Sequence, residues 1–250
     1  MSEDEGGVAA VERALSILDA MSDPQLSLAE LSNRTGMYKS TLLRLLVSLE
    51  RFGYVLRTDA GTYRLGSKVL HLGSLYRRYF KTSDVVPGVL KQIAEELNEG
   101  ASFYVRDADQ RVCLHRVDAT RAIRDSVTEG DRLPLTVGAA AHVIQAFGGA
   151  RGVMYDEIRH RMYSHSSGER DAETAAIAVP VFGLNQDFMG ALSVSGPRYR
   201  IDAAGPEGIV PVLFKHAKQL TKVLGGDVDA SEFNGWNKTL AKARRVARVK

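Results

Sequence analysis

Two groups of side chains in this 250-residue sequence have the types and spacing to do chemistry. The first is Lys39, Ser40, Thr41 and Arg44, with Leu43 beside them. Two cations and two hydroxyls near the start of one helical stretch offer donors to phosphates and base edges, which suits a DNA major groove. Leu43 on the same side would meet a thymine methyl. The second group lies in the C-terminal half. Cys113 and His115 share one strand face, which invites a thiol nucleophile, but no orienting acid is evident and such pairs more often fill a core or a ligand pocket. Ser193 and Ser195 lack the Gly-x-Ser-x-Gly elbow of a serine hydrolase. His142, His160 and His165 lack metal-ligand spacing with one another or with Cys113. No phosphate loop or dinucleotide fingerprint is present. The chain therefore reads as non-catalytic, with no metal and no cofactor.

The elements that position the first group follow from local pattern. Ser27 followed by Glu30 is a capping box that opens a short helix whose apolar side is Leu28 and Leu31. Gly36 supplies its sharp stop. A second helix runs from about Tyr38 to Arg51, with Leu42, Leu45, Leu46 and Leu49 as one buried stripe. After Gly53, Tyr54 to Arg57 and Thr62 to Leu65 form a hairpin across Thr58-Asp-Ala-Gly61. Val8 to Met21 precedes these as a packing helix, with Val11, Ala14, Leu15 and Leu18 inward. Helix, turn, helix and hairpin make a winged helix-turn-helix over residues 8–65. Arg57 and Arg64 flank the wing turn, where phosphates or a minor groove are within reach.

Residues 66–81 read as a linker helix whose apolar side (Val69, Leu72, Leu75, Tyr76, Tyr79) contributes to a dimer interface. From residue 82 to 225 the pattern becomes mixed. Val86 to Leu97 is helical, and residues 101–106 and 112–117 alternate as two strands. Small-residue helices follow at Gly138 to Phe147 and Gly152 to Met162. Thr174 to Phe182 and Phe188 to Ser195 are strong strands, stopped by Gly196-Pro197, and Ile209 to Leu224 closes the domain as a helix. The fold class is α+β, with an antiparallel sheet and helices packed against it. Residues 226–250 form a basic tail that is expected to be flexible.

Charge is unevenly placed: the balance is +4 over residues 10–80, −3 over 81–230 and +5 over 231–250. That asymmetry favours nucleic acid as the partner of the ends and not of the middle. No apolar run approaches the ~20 residues that a membrane span requires. One cysteine excludes an internal disulfide and fits a reducing cytoplasm.

These residues resemble the IclR family of bacterial transcriptional regulators over roughly residues 8–225. The resemblance rests on Val11-Glu-Arg-Ala-Leu-Ser-Ile-Leu18, Leu28-Ala-Glu-Leu31, Lys39-Ser-Thr41, Arg44-Leu-Leu46 and Tyr63-Arg-Leu-Gly66. In the second half it rests on Leu133-Pro-Leu135, Gly168-Glu169, Ile177 to Phe182 and Ala191 to Pro197. It implies a linker helix and a GAF-like effector-binding domain behind the winged domain. It also implies a homodimer or dimer of dimers on palindromic operator DNA, with affinity modulated by a small organic acid. The DNA-binding residues would be Ser27, Lys39, Ser40, Thr41, Leu43, Arg44, Arg57 and Arg64. By matching position, the effector pocket would include Gly138, Ala139, Ala140, Glu169, Pro180, Ser193 and Ser195, with Phe103, Leu114 and Leu133 as apolar walls. The uncovered amides at the start of the Gly138 helix are the expected anion site. Tyr38 stands where the family often has Pro, and Ala141-His142 where it usually has Gly-Lys, so operator and effector identities do not carry over. A constitutive DNA-binding protein whose middle domain only oligomerises remains the alternative.

Overall fold

A computed structural model describes residues 7–79 and 85–228. The chain divides into two compact units, residues 1–79 and 80–250. The expected tail lies outside the described residues beyond position 228, as do residues 80–81 of the linker segment.

In the first unit, α1 (Ala9–Asp19), α2 (Leu28–Thr35) and α3 (Lys39–Arg51) precede the hairpin β1 (Val55–Arg57) and β2 (Tyr63–Leu65), and α4 (Ser67–Tyr79) follows. The Ser27 capping box forms in full: its hydroxyl accepts from the Glu30 amide while the Glu30 carboxylate accepts from the Ser27 amide. Gly36 closes α2 in the left-handed conformation (φ 69°). Leu42, Leu46 and Leu49 of α3 pack with Leu31, Val55 and Tyr63. The wing is tied to the start of α2 by a bridge in which Leu26 and Tyr63 exchange amide hydrogen bonds at 2.9 and 2.7 Å. One inward assignment is corrected. Ile17 and Met21 reach the core from the α1 side, with Ala14 and Leu18 partly covered, whereas Val11 and Leu15 are exposed. Both stripes have helical spacing, and only one can face α2 and α3. Leu70, Leu72, Leu75 and Tyr76 of α4 are also exposed.

The second unit holds α5 (Val86–Leu97), β3 (Gly100–Asp107), β4 (Gln110–Val117), β5 (Arg132–Pro134), α6 (Ala139–Phe147), α7 (Val153–Arg161), β6 (Ser164–Ser167), β7 (Thr174–Phe182), β8 (Phe188–Pro197) and α8 (Arg198–Val223). The strands form one antiparallel sheet in the order β5-β4-β3-β8-β7-β6. Helices α5 and α8 cover one face, where Phe103, Leu114, Val179, Leu192 and Val194 meet Leu90 and Phe214. Helix α6 covers the other, where Tyr104, Cys113, Ala178 and Ala191 meet Ala140 and Ile144.

Two features of this unit depart from the sequence pattern. Strand β6 is Ser-His-Ser-Ser and carries no apolar alternation to announce it; it is recruited by pairing along β7. Helical structure begins at Arg198, not Ile209: non-helical Gly205 (φ 60°, ψ 178°) breaks α8 into two helical pieces, and Pro206 starts the second. Strand β8 likewise runs through Gly196 to Pro197.

A tight approach fixes how α4 leaves the wing. The Gly66 amide donates to the Tyr54 carbonyl at 2.8 Å, and a Cβ at Gly66 would lie 2.1 Å from the Gly53 carbonyl oxygen. Gly66→Ala should therefore destabilise the first unit by about 1–3 kcal/mol, the usual cost of forced overpacking. Thermal melts should show the N-terminal unit unfolding earlier while the C-terminal unit keeps its transition.

Candidate DNA interface and ligand pocket

Burial of the leucine stripe of α3 turns the opposite side of that helix outward. Lys39, Ser40, Leu43 and Arg44 are exposed there, and Thr41 is half-buried. Tyr38, at the N-cap, is 84% exposed and makes no side-chain cap. Arg64 is exposed on β2, and Arg57 lies beside the Tyr63 ring with 5.9 Å between guanidinium and ring centre. Among the described residues, the side chains of Lys39, Arg44 and Arg64 enter no hydrogen bond or ion pair; Ser27 is occupied in its capping box. The arrangement leaves free cations and helix-start amides on one surface, the requirement for gripping a duplex backbone.

The pocket sits in the second unit, between the sheet and the start of α6. Its cavity volume is about 30 Å³. Leu133, Gly138, Ala139, Ala140, Ser193 and Ser195 line it, as the matching positions imply. Three assignments fall elsewhere. Phe103 and Leu114 lie in the core under α5 and α8, on the opposite sheet face, because side chains alternate along β3 and β4. Pro180 sits opposite Ala191 on β7 and does not line the cavity. Glu169 takes a different place again. Its carboxylate accepts from the Gly138 amide at 2.9 Å and lies 3.2 Å from His142 Nε2, so the expected anion site at the start of α6 is filled by the chain itself. Burial holds the His142 pKa below its ordinary value although Glu169 acts the other way. The neutral ring then carries its hydrogen on Nε2 toward Glu169, and Nδ1 accepts from Ser164, 3.3 Å away.

Four further residues define the cavity: Tyr104, Arg111, Asp125 and Arg170. Arg111 is 3% exposed, donates through Nη1 to the carbonyls of Pro134 and Val137, and lies against the Tyr104 ring. Burial pushes the Tyr104 hydroxyl up to about 12, so it stays a donor. Arg170 pairs with buried Asp125 at 2.5 Å. Burial alone would raise the Asp125 carboxyl, but Arg170 and the Ser195 hydroxyl outweigh it and hold the group below its ordinary value. Arg111 had a readable signal: an Arg two positions from Cys113 in a strand of buried residues must turn inward when both sheet faces are covered. Asp125 and Arg170 come from irregular segments 45 residues apart and had none.

The other candidate chemistry dissolves in the same geometry. The Cys113 thiol donates to the His115 carbonyl at 3.7 Å, and burial pushes it up to about 12, far from a reactive thiolate.

The IclR helix-turn-helix domain matches residues 10–59, and the bacterial transcriptional regulator IclR C-terminal domain matches residues 153–222. The chain belongs to the IclR family of transcriptional regulators. It is 25% identical over 231 residues to the HTH-type transcriptional regulator KipR of Bacillus subtilis, covering 81% of this chain and 91% of that protein. Among solved structures it is similar in fold to the Thermotoga maritima IclR (TM-score 0.70, 23% identity, 86% of this chain and 98% of that one). It is also similar to an IclR homologue from Microbacterium hydrocarbonoxydans complexed with 4-hydroxybenzoate (TM-score 0.72, 17% identity, 86% and 99% covered). Members of this family are DNA-binding regulators, and their α+β plan of helix-turn-helix followed by an antiparallel sheet domain is the one found here. No described helix is long and apolar enough to cross a membrane.

Two measurements check the electrostatics of this IclR-family pocket. Cys113 should resist a thiol reagent at pH 8 in the native protein and react fully once urea unfolds it. Because the folded pKa of Asp125 is depressed, its pair contributes stability above the unfolded value of about 3.9 and loses it as pH falls toward the folded value. Asp125→Asn should be less stable than the parent at pH 7, and acid titrations should show that difference shrinking below about pH 4.

Proposed function

We propose that this regulator binds palindromic operator DNA as a homodimer or dimer of dimers, and that a small organic acid in the pocket of the second unit alters its affinity. Lys39, Ser40, Thr41, Leu43 and Arg44 of α3 read the major groove, with Arg57 and Arg64 of the wing on backbone phosphates. Ser27 contributes by capping α2 and so positioning it beside that surface. The observation that carries this reading is the row of exposed, unengaged cations along α3 and β2, on a unit whose other surface of α3 is fully committed to its own core.

The acid is supported by a cavity with a buried cation, Arg111, and by the 4-hydroxybenzoate held by a structural relative. The exposed apolar stripe Leu72, Leu75 and Tyr76 of α4 suits a role in pairing and spacing two DNA-binding units. Effector binding then biases that spacing, a coupling that is typically about 1–3 kcal/mol between sites.

The test is a gel-shift titration on DNA upstream of the protein's own gene and its neighbours, at two salt concentrations, with and without a panel of aliphatic and aromatic acids. Tight, salt-dependent binding that one acid shifts supports the proposal; binding that no acid shifts leaves a constitutive DNA-binding protein. Arg44→Ala should abolish specific binding without changing the circular dichroism spectrum. Lys39→Ala should weaken all sequences alike and reduce the salt slope by about one unit.

A further inference from the structure

Resting on the effector reading above, we infer that Arg111 is the anchor for the effector's carboxylate and that the pocket selects a small monocarboxylate bearing a hydroxyl.

The anchor follows from an unmet donor. Arg111 is 3% exposed, and its Nε is buried with no hydrogen-bond partner among the described residues. A buried charged donor left unmet is costly, and a ligand that brings an acceptor relieves that cost. No carboxylate of the described chain forms a salt bridge with Arg111. Its orientation is already set by two carbonyls, Pro134 and Val137, and by the Tyr104 ring. The rival anion seat at the start of α6 is filled: Glu169 holds the Gly138 amide, and its negative charge repels a second carboxylate there.

The charge of the ligand follows from the lining. Its charged members are Arg111, Arg170 and Asp125, and the last two close on each other at 2.5 Å. One positive charge is therefore unmatched. A monocarboxylate neutralises it, whereas a dicarboxylate brings a surplus buried charge, which is expensive without a partner.

The hydroxyl follows from where the Ser193 proton goes. Ser193 lines the cavity and donates to the Ile177 carbonyl at 3.2 Å. With that proton committed, its oxygen is left as an acceptor that a ligand donor can satisfy. A hydroxyl does so; a ketone or a bare hydrocarbon brings no donor. The glycine and alanine walls at 138–140 and 175–176 make the room, and a cavity volume of about 30 Å³ favours the smallest acids.

The experiment uses the full-length protein, with lactate, pyruvate, malonate, 4-hydroxybenzoate and benzoate as probes. Binding is read by thermal shift and calorimetry, and operator binding by gel shift. A hydroxy monocarboxylate should bind saturably, and each hydroxylated acid should exceed its partner without a donor (lactate over pyruvate, 4-hydroxybenzoate over benzoate). Malonate should bind worst. Arg111→Lys keeps the charge but not the planar fork, and should weaken binding about tenfold or more, with the urea midpoint measured alongside so that loss of affinity is read on folded protein. Ser193→Ala, a milder change, should bring the hydroxylated and unhydroxylated acids to similar affinity. The inference is overturned if no probe binds, if pyruvate or malonate matches lactate, or if Arg111→Lys binds as the parent does. An acid that shifts operator affinity equally in parent and Arg111→Lys would overturn the anchor and keep the regulatory reading. A hydroxy acid that binds through Arg111 but leaves operator affinity unchanged would do the reverse.

Discussion

The second unit depends on one constraint: a single antiparallel sheet is covered by helices on both faces. Each strand residue must then belong to one of two interiors, and alternation along the strand decides which. Phe103 goes under α5 and α8 and Tyr104 goes under α6; Leu114 and Cys113 divide in the same way. The two interiors differ in character. The α5–α8 side is filled by large aliphatic and aromatic groups, whereas the α6 side uses alanine, serine and glycine along β7, β8 and the start of α6. Small residues on a face that must still be closed leave space, and that space is the pocket. Arg111 arrives in it because it shares a strand face with Cys113.

A pocket lined by charges needs its polar groups held still, and irregular chain does much of the holding. The segment after β4 carries Asp125, and its path is fixed by arginines that reach from elsewhere. Arg116 donates to the Asp125 carbonyl at 3.1 Å. Arg200 from α8 grips buried Glu99 through two bonds and donates to the Ile123 carbonyl at 2.9 Å. Arg170 completes the set on the Asp125 side chain. Charge-assisted bonds to backbone carbonyls do here what a ladder does in a strand, so the site is ordered without regular structure. His142, Glu169 and Gly138 form a second such cluster at the start of α6, where the carboxylate satisfies the helix amide that would otherwise attract an anion.

The first unit works by the opposite economy. It is small, so almost every inward apolar group is spent on one core of α1, α2, α3 and the wing. What remains outside is therefore informative. The outer side of α3 carries cations, hydroxyls, Leu43 and Tyr38, while α1 and α4 expose aliphatic stripes at Val11 and Leu15 and at Leu72 and Leu75. A polar, cationic face suits a polyanion, and aliphatic faces suit protein.

Local pattern determined most of the elements. The Ser27 box, the Gly36 stop, the leucine stripe of α3, the wing turn, α5 and the two long strands all follow from short-range hydrogen bonding, φ preference and periodicity, and each is present within a residue or so of its expected place. Strand β6 and the first turns of α8 were invisible for the same reason: Ser-His-Ser-Ser has no apolar period, and Gly205-Pro206 reads as an ending. The exposed cationic surface of α3 was legible because it is contiguous on one helix. The pocket was legible only in part. Its small-residue wall at 138–140 and the serines of β8 could be named, but the choice between Phe103 and Tyr104 depends on which sheet face receives α6. The pairing of Asp125 with Arg170, and the seating of Glu169 on the Gly138 amide, join residues 45 and 31 positions apart. Sequence sets which groups are available to a site; only the tertiary fold, by bringing distant loops against one covered sheet face, decides which of them remain unpaired there.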